Sequence, residues 1–252
     1  MTSLVFALGL VLSLGIGVSL GLLGGGGSIL TVPVLHYVFA VPAHDAIAMS
    51  LVVVGTTSTV ALIPHALAGR VHWRLGLAFG VSSMTAAYVG GRIGAGIPSA
   101  ILIVAFALLM LVAGGAMLMR ARSRLAVAEA TEISLARVLA SGLGVGLITG
   151  VLGAGGGFVI VPVLTLLGGV AIREAVGTSL LVIAMNSFAG LAGTASHARI
   201  DTRIILPVVA IAVVGSLVGA RLVRRISTQH LQGSFGWFVI VVGVSILARE
   251  LF

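Results

Sequence analysis

Two glycine clusters, Gly24–Gly27 and Gly153–Gly157, interrupt long apolar runs. A glycine in a helix interior costs roughly 0.8–1 kcal/mol relative to alanine, so a cluster predicts a break. A break frees backbone N–H groups, which at membrane depth are tolerated only where protein buries them or a wet cavity meets them. The short helix that follows would aim its N-terminal N–H groups and positive dipole end at that cavity, which suits an anion. The candidate binding backbone is therefore Gly24, Gly25, Gly26, Gly27 and Ser28 in one cluster, with Gly153, Gly155, Gly156 and Gly157 in the other. Pro33 and Pro162, nine residues past Gly24 and Gly153, are placed to kink the short helices. The competing use of glycine is close helix packing, which suits Gly17/Gly21, Gly142/Gly146/Gly150 and Gly215/Gly219.

Hydroxyl and amide side chains form a second set: Ser50, Thr56, Thr57 and Ser58, then Thr178, Ser179, Asn186 and Ser187. They fall mid-span in two long apolar segments and offer neutral donors to an oxyanion. Interhelical hydrogen bonds, or bonds to the carbonyl four residues back, are the ordinary alternative for any one Ser or Thr. Asn186 is the exception, because an amide mid-span is costly without a partner.

Charged residues discriminate between substrate classes. Asp45 and Glu174 stand at helix starts, where carboxylates cap N–H groups and favour the dipole. No segment carries a deep acid of the kind used in proton relays or cation sites. His65 is a candidate for proton coupling, although an interface histidine is the commoner case. No metal-ligand spacing, H-E-x-x-H, Walker A loop, βαβ dinucleotide fingerprint or Gly-x-Ser-x-Gly elbow occurs, so no catalytic residue, metal or cofactor is expected. There is no cysteine, which removes thiol chemistry and disulfides.

These residues must be positioned by membrane helices. Of 252 residues, 59% are apolar and 8% charged, against about 45–50% and 25% in soluble domains. At roughly 20 residues per crossing, the chain has length for about eight to ten crossings and little else. Segments at roughly 4–23, 46–64, 75–97, 99–119, 134–152, 175–196, 204–223 and 232–248 are each long enough, and the pieces 28–41 and 157–170 are shorter. The expected class is an all-α polytopic membrane protein of about 8–10 transmembrane or half-membrane helices. All 14 basic residues are Arg, placed singly or in small groups between apolar runs. They read as loop anchors that set orientation, not as a nucleic-acid surface. The N-terminal apolar stretch reads as a retained membrane segment.

The chain also reads as an internal duplication. Shifted by 129 residues, Gly21–Leu35 falls on Gly150–Leu164 with nine of fifteen positions identical. The same offset pairs Asp45 with Glu174, Ser50 with Ser179, Ser58 with Ser187, Arg70 with Arg199 and Arg92 with Arg221. The implied division is residues 1–119, a central polar loop at 120–133, and residues 134–252. If the two short pieces count as crossings, each half has five and the repeats are inverted, as in many secondary transporters. The loop arginines then divide 10 against 4, with the central loop cytoplasmic and both termini outside.

Gly24–Leu35 (GGGGSILTVPVL) and Gly153–Leu164 (GAGGGFVIVPVL) are each followed by an acid-capped A-x-x-x-S-L helix. Then come Gly69-Arg-Val-His-Trp-Arg74 and Ala198-Arg-Ile-Asp-Thr-Arg203. This pattern, over roughly residues 4–250, resembles the TauE/SafE sulfite-exporter family, also called the toluene-sulfonate uptake permeases. His72 stands where that family usually shows Asp or Asn, whereas Asp201 keeps the pattern. The resemblance implies an inner-membrane, multi-pass transporter of sulfur oxyanions such as sulfite or organosulfonates. The residues alone support an anion and do not supply the sulfur. An anion channel and a non-transporting assembly subunit stay open beside alternating access. The expected partners are a small anion and the bilayer, no nucleic acid, with a homodimer left open.

Overall fold

The computed structural model describes residues 3–122, 135–153, 156–166, 170–194, 198–222 and 228–251. Among them are ten α-helices and no strand, as composition requires. In order they are α1 (Ser3–Leu23), α2 (Ser28–Pro33), α3 (Ala43–Leu67), α4 (Trp73–Ala95) and α5 (Ser99–Arg122), then α6 (Leu135–Leu152), α7 (Gly157–Leu166), α8 (Ile172–Thr194), α9 (Thr202–Leu222) and α10 (Thr228–Leu251). Five stretches are long and apolar enough to cross a membrane: Leu4–Leu23, Ala43–Leu67, Ser99–Ala116, Arg173–Thr194 and Thr202–Leu222. The helix expected to stop near 119 runs on to Arg122, because arginine is a good helix former and can extend past the apolar stretch. The rest of the expected polar loop, residues 123–133, lies outside the described residues, as do residue 134, Ala154 and Gly155.

Both glycine clusters interrupt the helices. Gly24 and Gly25 have φ of +65° and +137°, and Gly153 and Gly156 have +66° and +79°, a region that L-residues with a Cβ rarely enter. Past the first break, Pro33 ends α2, and the chain widens into a π-helical turn at Val34–Val38. Proline brings no N–H to the ladder, and the turn closes with the Phe39 N–H on the Val34 carbonyl, five residues back. Pro162, by contrast, falls within the span of α7.

Packing rests on close backbone approach. α1 lies along α9, α4 along α6 and α8, α5 along α10, and α3 along both α8 and α9. Gly17 and Gly21 sit on the Ala212 and Ser216 carbonyls of α9, while Gly146 and Gly150 sit on the Ser83 and Ala87 carbonyls of α4. Both contact series advance in step, so these pairs run parallel. On α3 and α8 the order reverses. Gly190 packs on Leu51, Gly55 on Ser187 and Phe188, and Gly177 on His65, so these two helices run antiparallel.

The outer surface is apolar, with Leu4, Val11, Val112, Leu206 and Val241 all more than half exposed. The interior holds a set of hydroxyls and an amide, including Ser50, Thr57, Ser58, Ser83, Thr178, Ser179, Asn186 and Ser187. That distribution suits lipid outside and polar satisfaction inside.

Candidate anion site at the broken helices

The two breaks meet. Gly25 and Gly157 pack so closely that a Cβ on either would overlap the other's backbone. Gly24 is lodged against Val176 and Ser179 of α8, and Gly153 against Ile47 of α3. At the 129-residue offset Ile47 corresponds to Val176, so the two contacts are counterparts.

A break leaves carbonyls as well as N–H groups without partners. The Ser179 hydroxyl lies 2.6 Å from the Gly24 carbonyl oxygen and 2.8 Å from that of Val176, and its one hydrogen serves both. Ser50 does the same for Gly153 at 2.6 Å and Ile47 at 2.7 Å. Each serine thus satisfies the break of the other half across α3 and α8. The Ser28 hydroxyl turns back to the Gly25 carbonyl at 2.7 Å.

On the donor side, the Gly24 N–H bonds the Leu20 carbonyl, the Ser28 N–H that of Gly25 and the Leu30 N–H that of Gly27. The N–H groups of Gly25, Gly26 and Gly27 have no backbone acceptor among the described residues. Around the second break, the Val159 and Ile160 N–H groups both reach the Gly156 carbonyl.

The hydroxyl and amide set divides. Thr57 bonds back to the Val53 carbonyl, as a mid-helix threonine commonly does, and Thr56 beside it is half-buried. Thr178 accepts the His72 N–H at 2.9 Å and so anchors a loop of the first half. The Asn186 amide donates to the Ser83 hydroxyl at 2.6 Å, while its oxygen is buried without a partner. Ser58 and Ser187 are likewise buried without hydrogen-bond partners. Ser187 packs on Gly55, about one helical turn from Ser58. Two residues escaped the sequence reading. Ser83 on α4 is buried and completes the Asn186 contact, and Thr31 on α2 is buried with an unpartnered hydroxyl. Their signal was a hydroxyl mid-span, weak when taken singly.

Asp45 and Glu174 both fall in the first turn of their helices, as expected, and both also reach across to the other half. Pro42 precedes α3 without any side-chain cap. Asp45, in the first turn, instead accepts the Arg199 N–H at 2.8 Å, and Glu174 pairs with the His72 ring at 2.6 Å. Each acid reaches the Arg-containing loop of the other half, because the antiparallel run of α3 and α8 brings each start near the other's end. No described acid is buried, and no group of three metal-ligating side chains occurs among the described residues. His65 is 1% exposed, and its ring lies against the Gly21 backbone.

The family description "Sulfite exporter TauE/SafE" matches residues 9–246. The chain belongs to the TauE/SafE sulfite exporter family. It is 35% identical over 241 residues to a "Probable membrane transporter protein" of Xylella fastidiosa (strain 9a5c), covering 93% of this chain and 92% of that protein. A second protein of that printed name, from strain Temecula1, is 37% identical over 245 residues, with the same coverage. The "Probable membrane transporter protein YdhB" of Bacillus subtilis (strain 168) is 24% identical over 235 residues, covering 92% of this chain and 96% of that protein. No solved structure matches. This TauE/SafE chain is therefore a membrane transporter by family and by relatives.

Proposed function

We propose that the chain carries a small sulfur oxyanion, sulfite or an organosulfonate, across the plasma (inner) membrane by alternating access, and that it is not an enzyme. The observation that carries the reading is the first break, where three successive N–H groups (Gly25, Gly26 and Gly27) have no backbone acceptor among the described residues, with Gly157 of the second break against them. Unpartnered polar atoms on Thr31, Ser58, Asn186 and Ser187 add neutral hydrogen-bonding groups in the interior. With no buried acid among the described residues, a cation has no counter-charge there, while an anion meets no negative charge and can accept from the free N–H groups of the break.

The 129-residue offset and the antiparallel run of α3 and α8 support two inverted repeats of five elements each. Were α2 and α7 not counted as crossings, each half would cross four times and the equivalent helices α3 and α8 would run parallel. The sulfur comes from the family description, not from the geometry.

The test is sulfite flux in vesicles holding the purified protein. The parent should give flux that saturates with sulfite, and Gly26→Leu should abolish it with the protein still folded and inserted. Full flux in Gly26→Leu would overturn the role given to the break, and unsaturable flux would replace the carrier by a channel.

A further inference from the structure

A cavity of about 470 Å³ opens between the end of α3, the loop after it and the end of α9, lined by Pro64, Ala68, Arg70, Val218, Ala220 and Arg221 among others. Two arginines line one mouth, and the described acids are held elsewhere. Glu174 pairs with His72, Asp45 with the Arg199 N–H, Asp201 with the Arg203 N–H and Glu250 with Tyr37. Neither Arg70 nor Arg221 has an ion pair among the described residues.

Packed residues link the cavity wall to the first break. Ala220, one of its walls, packs on Gly21 of α1, and Gly21 lies three residues before the first break, about 4.5 Å along a helix. Gly177 of α8 packs against both the Arg70 carbonyl and the His65 side chain. His65, next to the Pro64 wall, is buried with its ring close to the Gly21 backbone and to Arg70. Inward from the charged mouth come a buried polar side chain, His65, and then the break.

The described counterpart positions are closely packed. At the 129-residue offset, Pro64 corresponds to Gly193, Ala220 to Gly91 and Arg221 to Arg92. There Gly91 packs on the Gly190 carbonyl and Gly193 on the Tyr88 carbonyl, and the Arg92 guanidinium turns to the Tyr88 hydroxyl at 3.5 Å. Beside His44, Gly94, Val151, Thr194 and Ala198 lies a separate cavity of about 10 Å³.

We propose that Arg70 and Arg221 form a binding site for a small oxyanion in this cavity, an antechamber that holds the anion at the open mouth ahead of His65 and the first break. The proposal rests on the anion-transport reading and adds a second site to it. A cleft lined by one sign of charge raises local counter-ion concentration by about tenfold or more, and planar guanidinium forks match oxyanion geometry.

The chain has no cysteine, so Val218→Cys gives a single thiol at the cavity wall. In this protein a negatively charged methanethiosulfonate should label it about ten times faster than a positively charged one. Methanesulfonate or sulfate should slow that labelling. Arg70→Gln with Arg221→Gln should abolish both the charge preference and the protection. Arg70→Lys with Arg221→Lys should restore the charge preference, and Arg92→Gln should leave labelling unchanged. Equal rates for the two reagents, or protection that survives in the Gln pair, would overturn the site. So would protection by anionic lipid in nanodiscs but not by free sulfate or methanesulfonate, since the arginines would then be lipid anchors. The two readings separate cleanly. If the parent carries no anion flux, transport fails whatever the labelling shows; if flux is present and the Gln pair keeps parental flux and labelling, only the antechamber fails.

Discussion

Ser50 and Ser179 each have one hydroxyl hydrogen, and each places it on a carbonyl that the distant break has freed. In the sequence they stood among donors for an oxyanion, and their position mid-span was legible. Their acceptors were not, because the carbonyls lie 103 and 155 residues away and no local pattern links such partners. Interhelical hydrogen bonds within membranes average about 0.6 kcal/mol, with larger costs when a buried acceptor is left alone. Ser50→Ala and Ser179→Ala should therefore each lower thermal stability in detergent by about 1 kcal/mol, and by similar amounts. A large loss for one and none for the other would show that the two contacts are not counterparts. Asn186 was legible for a different reason: its amide must find a partner wherever it sits, and Ser83 supplies one.

At the scale of elements, glycine has two uses in this chain, and spacing separates them only in part. The clusters Gly24–Gly27 and Gly153–Gly157 could be read as breaks because consecutive glycines exceed what packing needs, and the positive φ values agree. The regularly spaced Gly142, Gly146 and Gly150 could be read as a packing face, and all three meet α4. The sequence did not say which helix each face would meet, nor that the chain after Pro33 would widen into a π-helical turn, since both depend on neighbours remote in sequence. Gly144 and Gly146 isolate the packing term. A Cβ at Gly144 meets nothing within 4 Å, whereas one at Gly146 would enter the Ser83 backbone. Gly144→Ala should leave stability unchanged or raise it by up to about 1 kcal/mol through helix propensity. Gly146→Ala should lower it by roughly 1–3 kcal/mol through overpacking. Thermal unfolding of the two variants side by side checks the pair, and equal effects would contradict the α4–α6 contact described.

Across the whole molecule, polar side chains cluster where the halves meet and apolar ones face outward, which follows from the bilayer as solvent and was legible from composition. The open cavity of about 470 Å³ at the ends of α3 and α9 was not. Two halves with nearly the same motif give no sequence reason for one mouth to stand open. On the proposed reading this is one of two arrangements, and the other would exchange the packing of α3 on α9 with that of α4 on α8. The central claim is that N–H groups at the broken helices bind an anion, and binding is measured most directly by thermal stabilisation. Sulfite titrated onto the purified protein should raise its stability as RT ln(1 + [L]/Kd), about 2.7 kcal/mol at a hundred times Kd. Sodium and potassium matched for ionic strength should not, and Gly26→Leu should remove most of the response. A parent protein indifferent to sulfite, sulfonates and sulfate, or a Gly26→Leu variant stabilised as strongly as the parent, would contradict the account.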